Sequence, residues 1–388
     1  MSMKNECFAR ITRLQQRLVQ AGLDGALYIY PIDIYYFTGT RQNSTLWIPQ
    51  QGDPLLLVRK SFSRASQEAC IDDVRPFPRS KNFTPLFDGQ INIGMTFDVT
   101  PVQQLQYYQK LLPDRNFSDI SLLNRELRSV KSTLEVERMR YAGVQLSSIF
   151  ASMKDFLQPG IREIDLAAEF EARLRRIGGE GYVRMRAFNQ ELFMGLAVSG
   201  TSGSAGGYFD GAVTGLGMSA ASAHGASEAV IEIDQPVLID YTGIFDGYIV
   251  DMTRMYVCGQ LNDKLLNAFS VACHIQDQIA VELKPGTICS ELFAKATKMA
   301  EQAGLADCFM GPPGELAKFV GHGVGLELDE FPVLAPGFDM PLIVGQTLAV
   351  EPKFVFADLG AIGIENTYVV TEHGGEKISV LSDELVKV

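Results

Sequence analysis

Two hydrophobic rhythms alternate along the chain. Residues 5–21 set Phe8, Ile11, Leu14, Leu18 and Val19 at helical spacing, Gly22 ends that stretch, and a short apolar strand is predicted at 26–30. Further strands at 45–49 and 54–58 and a helix at 102–112 complete an α/β unit that ends near Leu123. Ser132 and Glu135 have the spacing of a capping box and open a long helical pattern through Met139, Ala142, Leu146, Ile149 and Phe150. The expected division is therefore a domain over 1–125 and a second over 130–388. Within the second, residues 157–179 lie over 283–305 at a constant offset of 126 without gaps, each a Pro-Gly turn, a helix and a glycine stop. Ordinary turn chemistry accounts for such a match, and so does an internal duplication that sets two similar halves across a cleft.

Two acid pairs fall on predicted hairpins. In VLIDYTGIFDGYIVDMTRMYV, Asp246-Gly247 is a two-residue turn signal that sets Thr242 opposite Asp251 and Asp240 opposite Thr253. Both aspartates then share one sheet face as diagonal neighbours, ~7–8 Å apart at the backbone. In LAVEPKFVFADLGAIGIENTYVV, Glu351 and Glu365 are symmetric about Asp358, and a hairpin there makes them cross-strand partners. Each acid sits among apolar neighbours, where an unpaired carboxylate is costly, and a bound cation is one way to offset that cost. Of the four histidines, His322 stands between glycines in VGHGVGLELDE, where backbone and ring can approach a ligand closely; His274 reads as a packing residue and His373 as a turn residue.

Composition narrows the partners. With 46 acidic against 34 basic residues the formal net charge is -12, which repels nucleic acid and anionic membranes. The six cysteines form no CxxC pair, and no apolar run is long enough to cross a bilayer, so free thiols and a cytoplasmic setting are expected. Residues 195–228, rich in Gly, Ser and Ala, match no phosphate loop and read as a surface loop or as one bordering a substrate cleft.

One imidazole with four carboxylates, His322 with Asp240, Asp251, Glu351 and Glu365, is a hard ligand set suited to Mn, Co, Fe or Zn. Two divalent ions are expected from the charge. Such a pair holds a bridging hydroxide and polarises a carbonyl, which is hydrolytic chemistry.

These residues resemble the pita-bread metallopeptidases, the Xaa-Pro aminopeptidases, prolidases, methionine aminopeptidases and creatinases, over nearly the whole chain. DYTGIFDGYIVDMTR is similar to that family's two aspartate ligands, GHGVGLELDE to its histidine segment, AVEP to its first glutamate and IENTYVVT to its second. IYPIDIYYFTGT resembles the strand and tyrosine-rich turn of the creatinase-type N-terminal domain, and RSVKSTLEVERMRYAG the join between domains. The resemblance implies a pita-bread catalytic domain preceded by a smaller α/β creatinase-like domain that helps form the mouth of the cleft, a homodimer, and a small peptide substrate from which an N-terminal residue or a dipeptide is cleaved. It implies that Glu351 is both ligand and acid/base group, and that His224, in SAHGASE, contacts substrate beside the metals.

Three positions depart from the family. Seven residues after His322, where proline-specific members carry a second histidine, stands Asp329, an acceptor in place of a donor. Gly363 stands where many carry arginine, and Thr242 where a small residue is expected. They keep two alternatives open: a lyase or other small-molecule enzyme that uses Asp329 as its base, or a binding protein without turnover.

Overall fold

A computed structural model describes residues 2–388 except residue 189. It separates into two compact units, one ending at Arg128 and the other running from Ser129 to Val388.

In the first unit, α1 (Met3–Gln20) starts at Ser2, whose hydroxyl accepts from the Asn5 amide, and it buries Cys7, Ile11, Leu14 and Leu18. There follow β1 (Gly25–Tyr28), α2 (Pro31–Thr38), β2 (Ser44–Pro49), β3 (Leu55–Val58), α3 (Phe62–Glu68), β4 (Asp73–Pro76), β5 (Asn92–Met95), α4 (Val102–Leu111), β6 (Asn116–Asp119) and α5 (Ser121–Ser129). The sheet runs β4-β3-β2-β1-β5-β6, antiparallel across β1, β2 and β3 and parallel from β1 to β5 and β6. The tyrosine-rich stretch expected as strand and turn is instead the helix α2. Pro31 supplies the φ of a first helical residue, Gly39 ends the helix at φ 78°, and buried Asp33 accepts from Asn124 at 2.8 Å and Arg128 at 3.0 Å.

The second unit opens with α6 (Thr133–Ser152), and both arms of its Ser132–Glu135 capping box are formed. After it come α7 (Glu163–Arg176), β7 (Gly195–Ser199), β8 (Val237–Phe245), β9 (Tyr248–Val257), α8 (Asp263–Glu282), α9 (Cys289–Gln302), β10 (Gly321–Gly323), β11 (Glu330–Val333), β12 (Thr347–Val350), β13 (Lys353–Phe356), β14 (Gly360–Gly363), β15 (Asn366–Thr371), β16 (Gly374–Lys377) and β17 (Val386–Lys387). One sheet is ordered β17-β9-β8-β7, another β11-β10-β12-β15-β16, and β13 pairs with β14. Helix α6 packs across the β8–β9 hairpin, where Gly243 makes room for it: a Cβ there would lie 2.9 Å from that of Leu146. Among the described residues no helix is long and apolar enough to cross a membrane.

The matching segments are matching structures. Helices α7 and α9 begin and end 126 residues apart, each behind a glycine at positive φ (Gly160, 92°; Gly286, 85°) and before another (Gly178, 97°; Gly304, 72°). The stretch 195–228 is only in part the surface loop its composition suggests: residues 218–222 are exposed, but others are not. Its first residues are β7, paired to β8, and Ala212, Val213, Thr214, Ala226 and Ser227 are buried. Their anchor is Glu163, fully buried at the start of α7, which accepts from the amide of Ser199 (2.6 Å), the amide and hydroxyl of Ser227 (3.0 and 2.7 Å) and the hydroxyl of Ser202.

Replacing Glu163 with alanine orphans four buried donors. A loss of about 3 kcal/mol is expected in chemical denaturation, together with faster amide exchange at Ser199 and Ser227. Unchanged stability and exchange would show that Glu163 does not anchor the segment.

Candidate metal centre

The first hairpin has the register its turn dictates. Asp246 and Gly247 both take positive φ (48° and 81°), as a type I′ turn requires, and Asp240 faces Thr253 while Thr242 faces Asp251. In the second hairpin the turn centres on 357–359, and the pairs Val350–Asn366 and Lys353–Gly363 on either side set Glu351 across from Glu365. The hairpins meet at a bridge between Thr253 and Glu365, where the Thr253 hydroxyl donates to Glu365 Oε2 at 2.8 Å. Thr367 bonds both the amide (3.0 Å) and the carbonyl (2.9 Å) of Asp251. Beneath them Arg254, with no exposed surface, donates to the carbonyls of Thr253 and Glu365 and to Asn366 Oδ1, and pairs with Asp383 at 3.0 Å.

His322, on β10 opposite Ala349, donates from Nδ1 to the Leu328 carbonyl at 2.8 Å, which turns Nε2 inward. Nε2 lies 3.4 Å from Glu351 Oε1 and 4.0 Å from Glu365 Oε1. One donor atom each from Asp251, His322 and Glu365 falls within a 4.8 Å cluster, a set of two carboxylate oxygens and one imidazole nitrogen that fits a divalent cation.

A residue that the sequence reasoning passed over stands in the same pocket. Lys353 Nζ lies 2.8 Å from Asp240 Oδ2, 2.7 Å from Glu351 Oε2 and 2.9 Å from Glu365 Oε2. Its only signal was a lysine in an apolar strand two residues after a ligand, opposite a glycine. Gly363, the position where arginine was expected, leaves room for the lysine stem: a Cβ there would lie 2.6 Å from Lys353 Cγ.

These contacts set the charges. Burial, and after it the charge of Asp240, pushes the Asp251 carboxyl up to about 7. Burial also raises Glu365, well above the carboxylate range, with Asp251 adding to it. For Glu351 burial is outweighed by Lys353 and His322, which hold it down at about 2, and for His322 it is outweighed chiefly by Glu351, which lifts the ring to about 10. Lys353 is buried too, yet Asp240, Glu351 and Glu365 hold its ammonium well above the usual value. Four acids in one pocket thus compete for little positive charge, the condition in which a metal ion binds.

The remaining candidates lie at different removes from this pocket. His224 is half-buried, its ring edge-on to Phe209 at 5.2 Å; burial lowers its pKa, and Asp240 is close enough to oppose that shift. Asp329 spends both carboxylate oxygens on the backbone, accepting from the Arg186 amide at 2.7 Å and the Ala187 amide at 2.8 Å. It clamps that segment, which is not the setting of a free base. Thr242 directs its hydroxyl to the Met194 carbonyl at 3.0 Å. His274 is exposed on α8 and does not pack as expected, whereas His373 lies in the turn between β15 and β16.

Comparison with known proteins places this geometry. Residues 137–372 match the model of metallopeptidase family M24, and residues 10–130 that of the creatinase/prolidase N-terminal domain. The Xaa-Pro dipeptidase of Pyrococcus furiosus is 24% identical over 97% of this chain and 99% of its own length. Among solved structures, an Xaa-Pro dipeptidase from Bacillus anthracis superposes with a TM-score of 0.84 (24% identity, 98% of this chain and 100% of that one). An X-Pro aminopeptidase from Thermotoga maritima does so with 0.80 (23% identity, 97% and 99%). The two-domain pita-bread architecture expected from the motifs is therefore the fold of this protein, and the chain belongs to metallopeptidase family M24.

Proposed function

We propose that this protein hydrolyses short peptides at a divalent-metal centre, releasing an N-terminal residue or splitting a dipeptide, with Xaa-Pro bonds the first candidates. The observation that carries the reading is the convergence of Asp251, His322, Glu351 and Glu365 from two hairpins and a third strand into one buried pocket. Its relatives named as Xaa-Pro dipeptidases over nearly the same length support it. Mn, Co, Fe and Zn all suit the ligands. An ion held by Asp251, His322 and Glu365 would supply Lewis acidity for a carbonyl and lower the pKa of water.

The chain's own groups do the rest. Glu351 presents Oε1 beside His322 while Lys353 holds Oε2, so it is placed to take a proton from water and return it to the departing amine. His322 is kept in one tautomer by Leu328. His224, whose burial favours the neutral ring, offers a donor to the substrate near Asp240. A lyase reading would need Asp329 as base, and the two amides on its carboxylate speak against it. A homodimer in a reducing cytoplasmic compartment belongs to the same proposal, and the described cysteines, all free, suit it.

Metal-loaded protein is expected to release an N-terminal residue from at least some members of a panel of Xaa-Pro and other short peptides, to lose at least 100-fold in kcat/KM on chelation, and to recover when metal is restored. Failure across the panel with Mn, Co, Fe and Zn alike would refute the peptidase reading. Asp329→Asn tests the clamp: peptide hydrolysis should fall less than about 10-fold, with faster exchange at the Arg186 and Ala187 amides, whereas a base would cost several orders of magnitude.

A further inference from the structure

Two divalent ions are what five ligand positions lead one to expect, and Lys353 is at odds with that number. Its side chain is 3% exposed, and its nitrogen touches one oxygen from each of Asp240, Glu351 and Glu365, drawn from both hairpins. Metal–carboxylate bonds are ~2.0–2.2 Å long, so an ion bound to those same three oxygens would need the space the ammonium fills. The two glutamates divide their oxygens accordingly. Oε2 of each faces Lys353, while Oε1 of each faces His322 Nε2, at 3.4 Å for Glu351 and 4.0 Å for Glu365. The pocket thus has an ammonium side and an imidazole side.

We propose that the ammonium of Lys353 permanently replaces one of the two cations, so that the site holds a single divalent ion, on Asp251, His322 and Glu365 with Glu351 Oε1 beside them. Three features support this. The cluster of donor atoms suited to a metal contains His322 and leaves out Asp240 and Glu351, two of the three acids that Lys353 holds. The cross-strand position is the glycine that the lysine stem requires, since any Cβ at residue 363 would collide with that stem. Charge allows it as well: four carboxylates and one ammonium carry an excess of three negative charges, which one divalent ion reduces to one. An ammonium neutralises Asp240 but offers no coordination position to water or to a carbonyl. Activation of both then falls to one ion, with Lys353 fixing the orientation of Glu351.

This inference rests on the reading of the pocket as a metal centre, and metal stoichiometry separates the two. Protein stripped with chelator, incubated with excess Mn2+ and dialysed should retain about one ion per chain by elemental analysis, and Lys353→Gly, with Asp240 released, about two. Should that variant not fold, the unaltered protein decides: loaded with two equivalents of Mn2+, it should give the isolated six-line electron paramagnetic resonance spectrum of one bound ion. Two tightly held ions in the unaltered protein, or an exchange-coupled spectrum, would overturn the proposal, as would a single ion in both proteins or uptake by the variant alone. No uptake by either would overturn the metal-centre reading with it.

Discussion

Four carboxylates gathered inside a protein repel one another and have lost the water that would solvate them, and the second unit is organised around that cost. Asp251, Glu351 and Glu365 are each at most 6% exposed, and such a group of acids is costly unless protons or positive charge offset it. The chain supplies part of it in Lys353. The rest is an invitation to a divalent cation. Hairpin register, the Thr253 and Thr367 hydroxyls and the buried Arg254 keep the acids at contact distance so that a counter-charge can serve several of them at once.

Much of this was legible in the chain because it is local. Asp246-Gly247 sets a turn type, the turn sets a register, and the register sets which side of the sheet Asp240 and Asp251 share. The symmetry of Glu351 and Glu365 about Asp358 is likewise a statement about one hairpin. What escaped is non-local. Lys353 in a strand reads as an exposed edge residue until its partners are known, and one of them, Asp240, lies 113 residues away. The clamp on Asp329 joins amides 143 and 142 residues distant, so spacing gave the position of that carboxylate but not its occupation. The glycine-rich stretch after β7 is exposed in part, as small polar residues suggest, but its anchor at Ser199, Ser202 and Ser227 is Glu163, at least 36 residues away in sequence. The segment behind Pro31 carried the tyrosines of an expected strand and turn, and proline at a helix start overrode them.

The matching helices α7 and α9 bear on how the centre is assembled. Each is followed along the chain by a contribution to the acid-lined pocket: the first by the β8–β9 hairpin with its aspartates, the second by β10 with His322 and then the hairpin with its glutamates. The halves are alike in scaffold and unlike in what they bring. Neither has the donors for the cluster of Asp251, His322 and Glu365, so the pocket exists only when both are folded and joined.

Arg254 draws one more part of the molecule into that assembly. Besides the carbonyls of Thr253 and Glu365 it bonds those of Leu381 and Ser382, and its charge is met by Asp383, which also binds Lys377 and Asn366. The tail at 381–383 is therefore the far end of a polar wire whose near end is the backbone of Glu365. Peeling that tail away would strand a guanidinium in the interior and slacken Glu365, so a disturbance at the rim of the protein would be felt as a loosened grip at its centre.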